Sequence, residues 1–247
     1  MSTTVHAEAL KAYKQKDYTT AMNLWLSEAE SNDQAMANLG IMYLKGDGVE
    51  KDYDKAREWF EKSSEHDNDS ANFNLGLMYQ TKLGVEEDVF RAIEYYRKAV
   101  TKNHAQAAFR LALLLLADRS NIEQVKEGFD CMIKAARGGN AMANVQLTGL
   151  DKEIPTDVEI NTAFRDKSKE EQLEVINDAL DRYIRPILIK DGGNITLLDF
   201  VTHPEYELRL AYQGACAGCS LSTTSTYAMI EDTINNVIDK AVRLYIL

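Results

Sequence analysis

Two cysteines lie three residues apart in the segment from Gln213 to Ser220, which reads Gln-Gly-Ala-Cys-Ala-Gly-Cys-Ser. Cysteine thiolates bind transition metals and also act as nucleophiles in thiol–disulfide exchange, and both kinds of site use this spacing. The small residues around Cys216 and Cys219 would let the backbone curl until both sulfurs point the same way. The spacing alone favours metal binding, then thiol–disulfide redox chemistry, and leaves coincidence as a third possibility.

The number of available ligands bears on what kind of site this could be. A zinc or iron–sulfur site normally takes four protein ligands. The C-terminal region offers only Cys216 and Cys219, since the nearest histidine, His203, is expected in a turn. Two ligands do not complete a site, whereas the same loops from two chains would.

The residues around the cysteines predict the elements that must position them. A helix is predicted from apolar residues at helical spacing, which are Leu173, Ile176, Leu180 and Ile184. Pro186 is expected to kink this helix, and the glycines of Asp191-Gly192-Gly193 are expected to end it. Strands are predicted over 195–200 and 207–212, joined by a turn at 203–205.

A second helix is predicted from Ser220 to Asn236, and a closing strand from the alternation of Val242, Leu244 and Ile246. A helix that begins just after Cys219 would present its N-terminal amides to the sulfurs and favour the thiolate form. The predicted order is helix, strand, strand, helix, strand.

Four motifs follow one another in this region: Arg185-Pro186, Asp191-Gly-Gly-Asn-Ile195, Gly214-Ala-Cys-x-x-Cys219 and Ile230-Glu231. In this order they resemble the C-terminal domain of the NifU family, which also occurs in Nfu-type carriers. The resemblance implies a small α/β domain over 171–247. It also implies that Cys216 and Cys219 bind an iron–sulfur cluster, typically one 4Fe-4S cluster that bridges two subunits and is passed to apo-proteins.

The sequence departs from that family pattern at two positions. Ser220 stands where the family usually has a proline directly after the second cysteine, and Asn194 stands where an acidic residue is common. A proline would fix the start of the following helix, so its replacement is expected to alter the loop or the lability of the cluster.

The first half of the chain repeats with a period of 36 residues. Leu39-Gly40 recurs as Leu75-Gly76, and Trp59-Phe60 recurs as Tyr95-Tyr96, with a weaker third copy that contains Leu111-Ala112. Each copy predicts two helices, with the glycine admitting a neighbouring helix and the aromatic side chains filling the grooves. Because one helix pair cannot bury its own apolar face, the pairs are expected to stack into a solenoid.

These repeats resemble the Sel-one-like repeat, a relative of the tetratricopeptide repeat, over Gln34 to Ala135. The resemblance implies surfaces that bind other proteins. Half-units at Ala21–Trp25 and Ala141–Asn144 are expected to end the stack.

The joint between the two halves is predicted from a proline and two capping boxes. Pro155 would break the preceding helix, and Thr156-x-x-Glu159 and Ser168-x-x-Glu171 would each begin a new one. The predicted fold is therefore multidomain: an all-α helical-repeat solenoid over 1–150, a linker with a short helix over 151–170, and the NifU-like α/β domain (α-β-β-α-β) over 171–247.

Composition narrows the classes of partner. The 247 residues include 39 acidic and 28 basic residues, and the net charge of −11 lacks the basic footprint of a nucleic-acid-binding protein. No apolar run is long enough to span a membrane, and no secretion signal is evident, so a cytoplasmic location is expected. In that reducing compartment the cysteines are expected as thiols or metal ligands.

The remaining reactive side chains favour structural roles. Cys131 aligns with Tyr95 of the preceding repeat and is expected to be buried in a helix. The four histidines show no ligand spacing, and no catalytic arrangement of serine, histidine and carboxylate is evident, so the protein is not expected to be an enzyme.

The sequence therefore predicts an iron–sulfur cluster carrier or assembly factor. Two chains would share a 4Fe-4S cluster through Cys216 and Cys219, while the repeats recruit apo-protein clients and assembly proteins. The alternatives are a thiol–disulfide redox protein that uses the same cysteines, or a metal-free adaptor.

Overall fold

A computed structural model describes residues 2–117, 121–147, 161–190, 192–203, 205–214 and 224–246. The chain forms two compact units, residues 1–117 with 137–140 and residues 118–136 with 141–247. The described part of the first unit is helical, and the second unit combines helices with a three-stranded sheet. The predicted combination of a helical-repeat region and a small α/β region is confirmed.

The helices of the first unit pair in chain order. Their bounds are α1 (Ser2–Lys14), α2 (Tyr18–Glu28), α3 (Asp33–Lys45), α4 (Tyr53–Ser64), α5 (Asp69–Thr81), α6 (Val89–Thr101) and α7 (Ala105–Leu115). Helix α3 packs on α4 and α5 packs on α6, as the repeat predicts, and α1 packs on α2 in the same way. The half-unit predicted at Ala21–Trp25 is thus the second helix of a complete pair.

The helix N-caps repeat with the same period as the core. Asn32, Asn68 and His104 lie 36 residues apart, and each side chain accepts the backbone N–H three residues on, at 3.2, 2.9 and 3.1 Å. Asp52 and Asp88 cap α4 and α6 in the same way. Burial lowers the pKa of His104, which favours the neutral ring that can accept this hydrogen bond.

The glycine of each Leu-Gly pair admits an aromatic ring, as the sequence predicts. A Cβ on Gly40 would lie 2.6 Å from Cδ1 of Phe60, and one on Gly76 would lie 2.7 Å from Cδ1 of Tyr96. Both rings are fully buried, so they have little space to move away. Helices α3 and α4, and likewise α5 and α6, therefore approach closely because a side chain is missing.

The two rings of each aromatic pair differ in burial. Phe60 and Tyr96 are fully buried, whereas Trp59 and Tyr95 are half-buried and pack against the edge of the core. The ammonium groups of the nearby lysines at 62 and 98 lie over the half-buried rings at 4.6 and 5.3 Å. Adjacent residues on a helix point about 100° apart, so the second ring of each pair lies deeper than the first.

The second unit begins with helices and ends in an α/β arrangement. Its elements are α8 (Ile122–Arg137), α9 (Ala141–Gln146), α10 (Thr162–Arg165), α11 (Lys169–Ala179), a π-helical turn (Leu180–Ile184), α12 (Arg185–Lys190), β1 (Gly193–Val201), β2 (Glu207–Gly214), α13 (Thr224–Val237) and β3 (Arg243–Ile246). From α11 onward the order is the predicted helix, strand, strand, helix, strand.

The sheet has the order β1-β2-β3, with β2 antiparallel to β1 and parallel to β3. One face packs against α11, α12 and α13 in a core that includes Ile176, Phe200, Leu208, Ile230 and Leu244. The central position of β2 means that the segment after its last residue leaves from the middle of the sheet.

The kink predicted at Pro186 is a change of helix type. Residues 180–184 form a π-helical turn, in which the N–H of Arg185 donates to the carbonyl of Leu180, five residues earlier. A proline has no N–H to donate within an α-helix, and a wider turn just before it is one way to accommodate this loss. The helix ends at Lys190, and Gly192 has a φ of +74°, as the glycine motif predicts.

The opposite face of the sheet is buried as well. Ala211 and Tyr245 are 3% and 0% exposed but do not belong to the core described above. Arg209, on the same face of β2, forms an ion pair with Asp130 of α8. Tyr245 is thus buried on the face of the sheet opposite Leu244 and Ile246, and Arg209 joins that face to α8.

The segment that precedes α11 packs on the same unit. Phe164 of α10 contacts Phe200 edge to face at 5.7 Å, and Arg165 pairs with the buried Asp239 at 2.6 Å. The capping box of Ser168 is confirmed, whereas that of Thr156 lies outside the described residues. The domain boundaries at 150 and 170 stay predictions.

Two further predictions concern single features. Cys131 is 4% exposed and lies in α8, as its alignment with the repeat predicts. Within the described ranges, no helix has both the length and the apolar character needed to cross a membrane.

Candidate functional site

The Cys-x-x-Cys segment connects the central strand to the helix that crosses over to β3. Strand β2 ends at Gly214 and α13 begins at Thr224. Cys216 and Cys219 lie between them, outside the described residues, and so does Ser220. The site is therefore defined by its surroundings, which are described on both sides.

The structure brings the Asp-Gly-Gly motif next to the cysteine segment. In the β1–β2 ladder Gly193 pairs with Gly214, the last described residue before the cysteines. A Cβ on Gly193 would lie 2.2 Å from the hydroxyl oxygen of Tyr212, so the ring tip of Tyr212 needs the space that the glycine leaves. Gly192 supplies the turn and Gly193 supplies the close approach, which accounts for two glycines in succession.

The Arg-Pro motif fixes α12 to the same strand. Nε of Arg185 donates to the carbonyl of Ile195 at 3.1 Å, and Nη1 contacts Asp181 at 2.6 Å. Arg185 thereby joins the helix before the glycine turn to the strand after it. Together with the Gly193–Gly214 pair, this contact sets the position at which β2 enters the cysteine segment.

The far side of the segment is fixed through the first turns of α13. The hydroxyl of Tyr227 donates to the carbonyl of Leu244 in β3 at 3.0 Å, within the core. Burial raises the pKa of Tyr227, and the negative charge of Glu231 one turn later raises it further, so the hydroxyl keeps its proton. The Ile230-Glu231 motif thus contributes one fully buried core residue and one acidic neighbour of this anchor.

The cysteine segment therefore spans two fixed ends, one held by a strand ladder and the other by a buried tyrosine. Three of the four motifs noted in the sequence lie in elements that border it.

Comparison with known protein families agrees with this arrangement. The NifU-like domain family matches residues 176–244, and the Sel1 repeat family matches 33–68, 69–104 and 105–140. The chain carries a NifU-like domain. Three Sel1 repeats precede it, and the matched range of the NifU-like domain includes both Cys216 and Cys219.

Three individual relatives are NifU proteins. NifU nitrogen fixation proteins of Nostoc sp. and Trichormus azollae are each 30% identical over 110 residues, which is 44% of this chain and 35% of theirs. That of Anabaena sp. is 27% identical over 108 residues and is covered over 92% of its length. This chain thus spans about a third of the first two relatives.

Two solved structures are also similar to this chain. A Sel1 repeat protein from Oxalobacter formigenes is 32% identical, with a TM-score of 0.53 over 57% of this chain and 58% of that one. A protective antigen of uropathogenic Escherichia coli with an SLR fold has a TM-score of 0.52 at 19% identity, over 78% of this chain and 41% of the antigen. The second likeness concerns the fold alone.

The histidines lie apart from the NifU-like site or have other roles. His104 caps α7 and stacks on Phe73 at 4.7 Å, while His66 and His203 are exposed and His6 is half-buried. Across the described ranges, no three His, Cys, Asp or Glu side chains are grouped so that they could hold a metal ion.

Two ionic contacts of the second unit, one with a buried carboxylate and one with a half-exposed carboxylate, were not predicted from the sequence. Asp239 accepts hydrogen bonds from Arg165, from the backbone N–H of Asn161 and from that of Ala241. Burial acts to raise the pKa of Asp239, but these donors and the positive charge of Arg165 outweigh it and lower the pKa. The second contact, Arg209 with Asp130, differs because burial of Asp130 prevails and raises its pKa despite Arg209.

Proposed function

We propose that this protein is an iron–sulfur cluster carrier or assembly factor. Its cargo is a 4Fe-4S cluster, held by Cys216 and Cys219 from each of two copies of the chain and delivered to apo-proteins. The proposal assigns no catalytic turnover to the chain, and the cytoplasmic location predicted from the sequence remains a prediction.

One observation carries the proposal: the NifU-like match covers 176–244 and includes both cysteines. A NifU-like domain suggests a role in iron–sulfur cluster assembly or carriage. Thiolates are the usual ligands of such clusters, and two per chain is half of the usual set of four.

The spacing of the cysteines supports a carrier more than a permanent holder. Both cysteines lie in one segment of the sequence, between Gly214 and Thr224, rather than in segments far apart along the chain. A cluster held by one such segment from each chain can be released by ligand exchange, in which an incoming client thiolate replaces one protein thiolate on each iron. Such an exchange forms one iron–sulfur bond for each one broken and needs no oxidant or reductant.

The Sel1 repeats supply the second part of the proposal, which is recruitment. Stacked helix pairs present extended surfaces with little chemistry of their own, and such surfaces commonly bind other proteins. We assign to them the binding of apo-protein clients and assembly partners.

Substitution of single cysteines tests the ligand assignment. The protein is reconstituted anaerobically with iron and sulfide, and iron, sulfide and visible absorption are measured for wild type, Cys216→Ser, Cys219→Ser and Cys131→Ala. Wild type and Cys131→Ala should bind about two irons per chain, because two chains share four. The Cys216 and Cys219 variants should lose most of that iron.

Cys131 is a matched control because it is a third cysteine of the same chain, buried in α8 and not part of the Cys-x-x-Cys motif. If both loop variants keep their full iron content, the assignment fails. If wild type takes up no iron but the loop thiols reduce disulfides catalytically, the protein is a thiol–disulfide redox protein. Wild type with neither property would be a metal-free adaptor.

A further inference from the structure

We propose that His104 makes the first helix of the third Sel1 repeat, α7, sensitive to pH. The neutral ring of His104 caps the N-terminus of α7, and protonation of the ring in mildly acidic solution removes this cap, so that α7 opens more readily. The proposal concerns the repeat region and goes beyond the proposed function, because it does not depend on cluster binding by the cysteines.

The residue that caps the first helix of a repeat differs between the repeats. Asn32, Asn68 and His104 lie 36 residues apart, and each side chain accepts a hydrogen bond from the backbone N–H three residues further on. An asparagine amide does not titrate, so the first two caps keep one chemical form across the physiological pH range. Histidine titrates within that range, and the third cap is therefore the pH-dependent one of the three.

The hydrogen bond to α7 fixes the protonation state of His104. Nδ1 of the ring accepts the backbone N–H of Ala107 at 3.1 Å, so the ring is neutral and carries its proton on Nε2. A second proton would bind to Nδ1, and two N–H donors would then face each other. The positive charge of the ring would also lie at the N-terminus of a helix, where the helix dipole disfavours it.

The surroundings of the ring leave it little freedom to find another arrangement. The ring is half-buried and stacks on Phe73 of α5, with centroids 4.7 Å apart and planes 18° apart. The backbone N–H of His104 donates to the carbonyl of Ala99 in α6 at 3.3 Å, which holds the turn. A protonated imidazole has no acceptor atom at all, so no rotation of the ring could restore the cap.

One charged side chain acts in the opposite sense. Among the described charged groups of α5, α6 and α7, Asp69 in the first turn of α5 is the one whose field acts on the ring, and it favours the protonated form. Asp69 has the position of Asp33 in the preceding repeat, to which the capping Asn68 donates at 2.7 Å. Burial outweighs this charge, and the pKa of His104 is lowered from its ordinary value.

The direction of this shift gives the direction of the pH effect. An unfolded histidine titrates at about pH 6.5, and the folded-state pKa of His104 lies below that value. As the pH falls, the unfolded segment therefore takes up a proton before the folded one does, and this favours unfolding. The stabilisation that His104 gives to α7 is complete well above about pH 6.5 and is lost as the pH falls below it.

Hydrogen exchange with mass spectrometry tests the proposal in the full-length chain at about pH 7.5 and about pH 5.5, on either side of the ordinary histidine pKa. After correction for intrinsic exchange rates, protection of wild-type peptides from 105–115 should be at least about threefold lower at the acidic pH, as expected for a lost N-cap. His104→Asn should give equal protection at both pH values, because it introduces the cap of Asn32 and Asn68.

His66→Asn is the matched control, since His66 is an exposed histidine in the turn between α4 and α5. This variant should show the same pH dependence in α7 as wild type. If His104→Asn also becomes less protected at the acidic pH to the same extent as wild type, the proposal is wrong. An NMR titration of the histidine rings gives an independent reading, and a midpoint for His104 at or above about 6.5 would overturn the proposal as well.

Discussion

Asp239 shows how much a single buried carboxylate contributes to the NifU-like unit. Its side chain is fully buried and joins the segment of Asn161 and Arg165 to the turn after α13, where the backbone N–H of Ala241 is the third donor. The partner lies 74 positions earlier in the sequence, so no local pattern could have indicated the pair. Only the fold brings the two residues together.

We expect Asp239→Asn to lower the free energy of unfolding of this unit by about 2 kcal/mol at pH 7, the cost of losing hydrogen bonds to a charged acceptor. The folded-state pKa of Asp239 is lowered below the unfolded value of about 3.9. The unfolded chain therefore binds the proton first, and the contribution, present above about pH 4, is lost as the pH falls further.

Hydrogen exchange with mass spectrometry measures this prediction, because both tryptophans of the chain, Trp25 and Trp59, lie in the first unit and would not report on the second. Asp232→Asn, at an exposed position of α13, is the matched control and should leave protection unchanged. Equal protection of wild type and Asp239→Asn at every pH would show that the buried pair contributes nothing.

Some of the residues around the cysteine segment could be predicted from the sequence, and others could not. The glycines of the turn and the arginine of the Arg-Pro motif were noted from their order along the chain. The structure pairs Gly193 with Gly214 and joins Arg185 to the carbonyl of Ile195. The pairing of Gly193 with Gly214 and the anchor from Tyr227 to Leu244 depend on strand register and crossover, which spacing does not reveal.

Packing between paired helices explains the repeat glycines, and this gives a test of the repeat region. We expect Gly76→Ala to destabilise the first unit by about 1–3 kcal/mol, because the added Cβ would lie 2.7 Å from the buried ring of Tyr96. The higher helix propensity of alanine alone would stabilise α5 by about 1 kcal/mol, so the sign of the change decides which effect prevails.

Urea denaturation followed by tryptophan fluorescence measures the Gly76→Ala change, since both tryptophans lie in this unit. In a Tyr96→Leu background the same Gly76→Ala change should cost less free energy of unfolding than it does in wild type, because the smaller leucine side chain leaves room for the added methyl group. A stabilised Gly76→Ala protein would mean that helix propensity, rather than close approach, accounts for the glycine.

The sequence predicted strand β3 but not the burial of both of its faces. The alternation of Val242, Leu244 and Ile246 predicted a strand with one buried face, and the strand is present. Tyr245 is nevertheless fully buried on the opposite face, where Arg209 of β2 pairs with Asp130 of α8. The alternation along one strand does not show whether its other face is also buried.

The repeat alignment and the packing assign helix α8 to different parts of the molecule. By its 36-residue alignment it belongs to the third Sel1 repeat, and its Cys131 and Ala135 match Tyr95 and Ala99. By packing, residues 118–136 belong to the compact unit that contains the NifU-like domain. The period of a repeat therefore predicted the helix correctly but not the unit in which it is buried.

The proposed carrier role assigns one task to each part of the chain. In that proposal the Sel1 repeats bind protein partners, and the NifU-like domain binds the cluster through the cysteine segment between Gly214 and Thr224. What joins them in one account is the claim that one chain supplies half of a four-ligand set and that a second copy supplies the rest.

Native mass spectrometry of the anaerobically purified and reconstituted protein tests that claim most directly, since one spectrum gives the number of chains, irons and sulfides in each particle. The account predicts a particle of two chains with one four-iron, four-sulfide cluster, or about two irons per chain. A monomer that carries a complete cluster, or a dimer that carries no iron, would contradict it.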